Sequence, residues 1–188
     1  MAAPAGGGAA GEWSRHIGPW SVDEVLALPE DAASGQRIEL VDGALLMSPW
    51  PRLEHQRMVT RLQRSFAAAA PETLEVLPGA NLVLGGFGDR MLIPDLLISD
   101  DPTAEGLFLR AHQVVLVAEI VPPSSRTADH GLKRSLCAQA RVPFYLLVEG
   151  GEAVLHEWRD GEYHLSEKSD AGVLRLRRPF AVEVTLGG

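Results

Sequence analysis

Two short apolar segments, each interrupted by a single carboxylate, constrain the fold of this sequence most. Residues Met91 to Ile98 and Val114 to Val121 are rich in Leu, Ile and Val, which is typical of strands in a largely buried sheet. Asp95 lies in the first segment and Glu119 in the second. An ionised carboxylate in such surroundings is unfavourable unless a cation or strong hydrogen bonds compensate its charge. The fold must therefore supply that compensation at both positions.

A divalent metal ion would compensate both carboxylates. Hard cations such as Mg²⁺ bind one or two carboxylates together with backbone carbonyls and water, a set that two neighbouring strands can deliver. Each carboxylate could instead lie at a strand end or pair with an arginine. The two acids lie on consecutive segments, and Pro94, which marks an edge or bulge where sheets redirect side chains, precedes Asp95. This combination favours a metal.

Capping, periodicity and turn residues predict the remaining elements. Ser21 and Glu24 have the spacing of a capping box and predict a short helix that ends near Pro29. Asp42-Gly43 predicts a hairpin turn between two extended runs. Further helices are predicted over Arg52 to Ala70 and Arg126 to Ala140, and further strands over Leu74 to Leu77, Asn81 to Leu84, Phe144 to Glu149, Ala153 to Trp158, Glu162 to Lys168 and Val173 to Arg177. This order predicts an α/β fold, a mixed (α+β) sheet flanked by helices with an N-terminal hairpin.

Length and composition limit the classes of protein. The 188 residues predict a single domain over 16–188, preceded by a disordered Gly/Ala-rich tail over 1–15. Cys137 is the single cysteine, which excludes an internal disulfide and a four-thiolate metal site. Because the sequence has neither a signal-like start nor a long apolar run, we expect a cytoplasmic protein without a membrane partner. The net charge of −8 opposes non-specific coating of nucleic acid, so any phosphate contact would be local.

Several short motifs succeed one another along the chain. They are Arg37-Ile-Glu-Leu-Val-Asp-Gly, His55 shortly after Ser48-Pro49, Ile93-Pro-Asp-Leu, Val117-Ala-Glu-Ile-Val-Pro-Pro-Ser-Ser and Asp129-His-Gly-Leu-Lys133. Their order and spacing, over about Trp20 to Thr185, resemble the putative restriction endonuclease family of the PD-(D/E)XK nuclease-like superfamily. The resemblance implies a restriction endonuclease-like core and an endonuclease that hydrolyses DNA phosphodiester bonds with Mg²⁺ or Mn²⁺ as its cofactor.

The resemblance also assigns roles by position. Asp95 and Glu119 match the metal-binding pair of the family, and the backbone carbonyl of Ile120 is expected to complete the metal site. Glu39 matches an additional acidic residue of the active centre. These assignments make Glu39, Asp95 and Glu119 candidate catalytic residues.

The catalytic lysine is the point at which this chain departs from the superfamily. That lysine normally lies two residues after the second acid, where this chain has Val121. In the family a lysine of the following helix substitutes, and Lys133 holds that position. Lys133 would orient the attacking water or stabilise charge that develops on phosphorus. A solvated helix residue is the alternative interpretation of Lys133.

Candidate contacts to DNA lie on the helix predicted over Arg52 to Ala70. Arg57, Arg61 and Arg64 occupy the arc opposite its apolar residues and would contact backbone phosphates if the helix lines the cleft. An ordinary solvated face is the alternative. The resemblance adds His55 to the DNA-binding candidates, whereas His130 is interpreted as a surface histidine.

Two classes of function remain open. The first is a Mg²⁺-dependent DNA endonuclease, with RNA still open as a substrate and a homodimer implied because small nucleases of this type pair to cut both strands. The second is a nuclease-fold module that no longer cuts and binds DNA or a protein partner. The sequence contains no Gly-x-Ser-x-Gly elbow and no helical His pair, which argues against a serine hydrolase and a zinc site. Trp13, Trp20, Trp50 and Trp158 are interpreted as core or interface residues.

Overall fold

The structure of this chain is a computed structural model that describes residues 16–28, 37–48, 50–85, 89–121 and 128–187. The predicted tail over 1–15, the predicted helix start at Arg126 and the side chain of His130 lie outside the described part. The division of the chain into a tail and one domain over 16–188 therefore stays a prediction. None of the helices in the described ranges is long and apolar enough to span a lipid bilayer.

The α-helices within the described ranges agree with the predicted ones. They are α1 (Val22–Leu26), α2 (Leu53–Ala69) and α3 (Ala128–Gln139). The predicted capping box is present at α1, where the Ser21 hydroxyl accepts from the N–H of Glu24 at 3.3 Å and the Glu24 carboxylate accepts from the N–H of Ser21 at 2.8 Å. Two orphan N–H groups of the first turn are thus satisfied, which explains where this short helix begins.

The strands of the described residues form a mixed α/β architecture, as predicted. In chain order they are β1 (Arg37–Val41), β2 (Ala44–Ser48), β3 (Glu75–Pro78), β4 (Leu82–Val83), β5 (Arg90–Leu92), β6 (Leu96–Ser99), β7 (Leu109–Arg110), β8 (Val114–Val121), β9 (Phe144–Glu149), β10 (Glu152–Arg159), β11 (Glu162–Lys168), β12 (Val173–Leu176) and β13 (Val182–Thr185). Strands β7 and β13 are not predicted by the sequence pattern.

A larger sheet carries the candidate site. Its described strands have the order β11-β10-β9-β8-β6-β3, with β8 and β9 parallel and the other neighbours antiparallel. Helix α3 lies between β8 and β9 in the chain, as the crossover that a parallel pair requires. A second sheet has the order β2-β1-β5-β4-β7, and β12 pairs with β13. In the predicted β1–β2 hairpin, Asp42 (φ 50°) and Gly43 (φ 83°) both have the positive φ of a two-residue turn.

The prediction of one strand over Met91 to Ile98 is wrong. The segment forms two strands, β5 and β6, which belong to different sheets and are separated by Ile93, Pro94 and Asp95. Proline has no N–H to donate to a ladder, so pairing stops there and the chain passes from one sheet to the other. Asp95 is thereby placed immediately before β6, in the gap between the sheets.

Two helices cover opposite faces of the larger sheet. Helix α2 packs Val59, Leu62 and Phe66 against the face that contains Leu96 and Ala118. Helix α3 packs on the other face, with Leu136 and Cys137 in one cluster with Leu97, Val117 and Tyr145. The two helices therefore approach the beginning of β6 from both sides of the sheet.

Candidate active site

Asp95 and Glu119 lie next to each other at the beginning of β6. The register pairs Leu96 with Ala118, so the antiparallel pairing continued by one residue brings Asp95 opposite Glu119. Both side chains are buried, with residue exposures of 3% and 4%. Two carboxylates thus share a site from which water is largely excluded, which is the arrangement that demands compensating charge.

Asp95 receives three hydrogen bonds. Its Oδ1 accepts from the guanidinium of Arg37 at 2.6 Å, and its Oδ2 lies 2.9 Å from Nε2 of His55. The same Oδ2 accepts from the N–H of Ile120 at 2.9 Å. Burial alone would raise the pKa of Asp95, but the His55 hydrogen bond and charge, helped by Ile120 and Arg37, hold that pKa below its usual value. Asp95 is therefore an ionised carboxylate.

The bond from Ile120 follows from the break at Pro94. Continued pairing of β6 with β8 would bring Pro94 opposite Ile120. Since β6 has ended there, the Asp95 carboxylate accepts the N–H of Ile120 that a continued strand would have accepted. A residue in an antiparallel ladder directs its N–H and its carbonyl to the same neighbour, and Pro94 has no N–H to give that carbonyl. The Ile120 carbonyl consequently faces the site without a ladder donor from Pro94.

Lys133 joins Glu119 to Glu39. Its Nζ lies 2.8 Å from Oε1 of Glu39 and 3.3 Å from Oε1 of Glu119, and its side chain is only 14% exposed. Burial would lower the pKa of Lys133, but the charges and hydrogen bonds of the two glutamates raise it above its usual value. Lys133 therefore stays protonated. It points inward because it shares one face of α3 with Leu136 and Cys137, which lie three and four positions later.

Glu119 is the least compensated group of the site. Burial raises its pKa to about 8, with Lys133 opposing the rise and the charges of Asp95 and Glu39 adding to it. Glu39, in contrast, has a second donor besides Lys133, because its Oε1 accepts from the N–H of Ile93 at 2.8 Å. Glu39 thus ties the residue before Pro94 to β1 and fixes the break that positions Asp95.

Arg37 is a site residue that sequence reasoning missed. It lies two residues before Glu39 on β1, and residues i and i+2 of a strand lie on the same face. This alternation is the signal in the sequence that places Arg37 beside Glu39, and its contact with Asp95 is the arginine pairing that the sequence left open. The Arg37 side chain is 30% exposed, so the site reaches the surface there.

The three arginines predicted on α2 divide into two groups. Arg57 and Arg64 are exposed on the side of the helix opposite the buried Val59, Leu62 and Phe66. Arg61 is half-buried and donates to the backbone oxygens of Thr185 and Leu186 at 3.3 and 3.0 Å. Arg61 therefore anchors the end of β13 and is not a free phosphate ligand.

His55 lies on the buried side of α2, where its contact with Asp95 makes it part of the acidic site. Its Nδ1 is buried and has no hydrogen-bond partner among the described residues. Trp50, interpreted from sequence as core or interface, is 65% exposed and so is not a core residue. Val121, which holds the superfamily's lysine position, is buried and apolar.

The donor set fits a hard divalent cation by its chemistry. Asp95, Glu119 and the Ile120 carbonyl are oxygen donors at one end of two neighbouring strands, as Mg²⁺ or Mn²⁺ requires. Within the described ranges, however, no three His, Cys, Asp or Glu side chains converge closely enough to enclose a metal. The cations of Arg37 and Lys133 occupy carboxylate oxygens instead. A metal ion would therefore have to take over contacts that these side chains now make.

A comparison with models of protein families shows which family the chain belongs to. The model of the Uma2 family, described as putative restriction endonuclease, matches residues 22–187. The chain belongs to the Uma2 family. The match includes Glu39, Asp95, Glu119 and Lys133, and it agrees with the resemblance seen in the sequence.

A solved structure shares the fold. It is the crystal structure of a putative nuclease belonging to DUF820 from Anabaena variabilis, with a TM-score of 0.67 and 17% sequence identity. The match covers 86% of this chain and 90% of that chain. Among curated proteins no match is found. The Uma2 chain thus has a nuclease-like fold and is related to putative restriction endonucleases.

Proposed function

We propose that this Uma2 protein is a Mg²⁺-dependent endonuclease that hydrolyses DNA phosphodiester bonds. The observation that carries the proposal is the apposition of Asp95 and Glu119, two buried carboxylates at the beginning of β6, with Lys133 bonded to one of them. Buried carboxylates with strongly perturbed pKa values concentrate at functional sites. A purely structural sheet would be as stable with apolar residues at these two positions.

Asp95, Glu119 and the Ile120 carbonyl would hold the ion. The Ile120 carbonyl qualifies because Pro94, its neighbour in a continued ladder, has no N–H to offer it. When bound, the ion would polarise a phosphodiester oxygen and lower the pKa of an attacking water. Arg37, now on Asp95, is partly exposed and would be free to contact a substrate phosphate once the ion neutralises that carboxylate.

Lys133 acts as a fixed cation in this mechanism. Because its pKa is raised, it does not accept a proton from water near neutral pH and is not the general base. Its ammonium instead orients water or stabilises negative charge that develops on phosphorus. Glu39 positions this ammonium through the 2.8 Å contact and would help to hold the water around the ion. Arg57 and Arg64, exposed on α2, are the remaining candidates for phosphate contacts along the strand.

Nicking of supercoiled plasmid DNA with Mg²⁺ or Mn²⁺ tests the proposal. We expect cleavage by the wild type and at least a hundredfold (~10²) loss in Glu119→Ala, as for the loss of a group that stabilises developing charge. Glu157→Ala is the matched control, because Glu157 is also a buried glutamate but lies on β10, two strands from β8, and pairs with Arg178. Equal activity in both variants would refute the assignment.

One alternative is favoured by a specific observation. Both oxygens of Asp95 already have partners, and Val121 lies where the superfamily has its lysine. Both observations favour a nuclease-fold module that binds DNA or a protein without cutting. A panel of supercoiled, linear and single-stranded DNA and of RNA separates the two. A protein that binds Mn²⁺ but cleaves none of these substrates would support the non-cutting module. Cleavage of RNA alone would show that the substrate is RNA and not DNA.

A further inference from the structure

Tyr145 carries a buried hydroxyl that its surroundings do not explain. The residue lies on β9, is 0% exposed, and its hydroxyl has no hydrogen-bond partner among the described residues. Tyr163, which packs beside it at a ring distance of 5.7 Å, donates its hydroxyl to the carbonyl of Val142 at 2.8 Å. A buried donor without an acceptor is unfavourable, so an unpaired group in the core calls for a reason.

Packing does not supply that reason. The ring of Tyr145 lies in an apolar cluster with Leu136, Cys137 and Val142. A phenylalanine ring would fill this space equally well and would bury no unpaired donor. The shape of this cluster therefore does not by itself require a tyrosine at position 145.

Glu119 is the candidate acceptor that the strand register places beside Tyr145. Parallel pairing of β8 with β9 brings Val117 opposite Tyr145 and Glu119 opposite Leu147. Tyr145 and Glu119 thus lie on the same face as diagonal neighbours, a separation that an aromatic and a long side chain can bridge. Burial and the charge of Glu119 raise the pKa of Tyr145, so the hydroxyl keeps its proton and can act as a donor.

We propose that Tyr145 is a positioning residue, whose hydroxyl donates to the Glu119 carboxylate when that carboxylate turns from Lys133 toward a divalent cation. The inference rests on the proposed function, because it requires the cation. It explains why Glu119 needs a second partner: one oxygen now accepts from Lys133, and a carboxylate that leaves this contact would lose its donor. A hydrogen bond from Tyr145 would then hold Glu119 in the orientation that serves the ion.

Titration calorimetry with Mn²⁺ alone, combined with thermal unfolding in EDTA, tests the inference on full-length protein. For Tyr145→Phe we expect about tenfold weaker Mn²⁺ binding, as for loss of one hydrogen bond to a charged group, with an unchanged or higher Tm in EDTA. Tyr163→Phe is the matched control, because the Tyr163 hydroxyl already donates to the carbonyl of Val142. We expect that control to have a lower Tm and unchanged Mn²⁺ affinity.

The outcomes separate this inference from the function on which it rests. Unaltered Mn²⁺ affinity of Tyr145→Phe, whatever its Tm, would overturn the inference and leave the metal site intact. Mn²⁺ binding weakened in Tyr145→Phe, in a protein that cleaves no nucleic acid, would support the inference and refute the nuclease. A wild type that binds no Mn²⁺ would overturn both.

Discussion

Replacement of Glu119 by glutamine should make stability depend less on pH. Glu119→Gln keeps the size of the side chain and its capacity to accept from Lys133, but it removes the ionisable group. Burial raises the pKa of Glu119 from its ordinary value of 4.5 to about 8 in the folded protein. The folded state therefore retains a proton that the unfolded chain releases between these two pH values.

The sign and size of the effect follow from this difference. The stabilisation due to Glu119 is complete below pH 4.5 and is lost as the pH rises toward 8. The free energy of unfolding of the wild type should fall relative to that of Glu119→Gln by roughly 1.4 kcal/mol per pH unit in this interval. Over the whole interval the loss approaches roughly 5 kcal/mol, a large part of the stability of a small domain.

Urea unfolding in EDTA at several values between pH 5 and pH 8 measures this difference. Asp95, whose pKa is lowered, and Lys133, whose pKa is raised, keep their charges between pH 5 and pH 8. Titrating groups far from Glu119 contribute equally to both proteins, so their contributions largely cancel when the two curves are subtracted. We expect the wild type to lose stability relative to Glu119→Gln at each step toward pH 8. A flat difference, or one that rises with pH, would refute the view that Glu119 is an undercompensated buried carboxylate.

Three further predictions concern charge, turn geometry and DNA contact. Lys133→Met should lower the free energy of unfolding by about 3–5 kcal/mol, because it leaves Glu39 and Glu119 without their shared cation; a loss under about 1 kcal/mol in urea would contradict this. Gly43→Ala should lower the free energy of unfolding by about 1–3 kcal/mol, since φ is +83° and the new Cβ would lie 2.4 Å from that of Pro19. Gly150→Ala should lower it by roughly 1 kcal/mol or less, because φ is +59° and no described atom lies within 4 Å of the new Cβ. Equal losses of Tm in the two variants would contradict the role of the Pro19 contact. Arg57→Ala and Arg64→Ala should each reduce the slope of the DNA-binding constant against salt concentration by about one counterion on a logarithmic plot. Arg61→Ala should instead lower Tm, because Arg61 bonds the backbone at the end of β13. An unchanged slope would show that Arg57 and Arg64 do not contact DNA.

Local chemistry explains what the sequence could predict of the fold. Asp42-Gly43 determines a hairpin turn by itself, and the Ser21–Glu24 capping box starts a helix through contacts within one turn. The apolar run of β8, interrupted only by Glu119, predicts a buried strand for the same reason. Strand β7 has only two residues, which is too short for a sequence pattern. It forms because it pairs with β4, which lies far away in the sequence.

Asp95 and Glu119 could be singled out because burial penalises a charge wherever it lies in an apolar run. The contacts that compensate them could not be derived from the residues alone, since those of Arg37 with Asp95 and of Lys133 with Glu39 join residues that are far apart in the chain. Glu39 and Lys133 were assigned to the site only through the resemblance. Pro94 was recognised as an irregularity, but its effect was larger than predicted, because the break separates two sheets. Tyr145 has no distinguishing pattern in the sequence, and only the absence of a described partner for its hydroxyl singles it out.

The central claim is that Asp95 and Glu119 hold one divalent cation. A crystal of the wild-type protein grown with Mn²⁺, measured at a wavelength where manganese scatters anomalously, tests it most directly. We predict an anomalous peak in contact with oxygens of both carboxylates and of the Ile120 carbonyl, with Arg37 displaced from Asp95. A map without a peak there, in which Arg37 and Lys133 keep their present contacts, would contradict the claim.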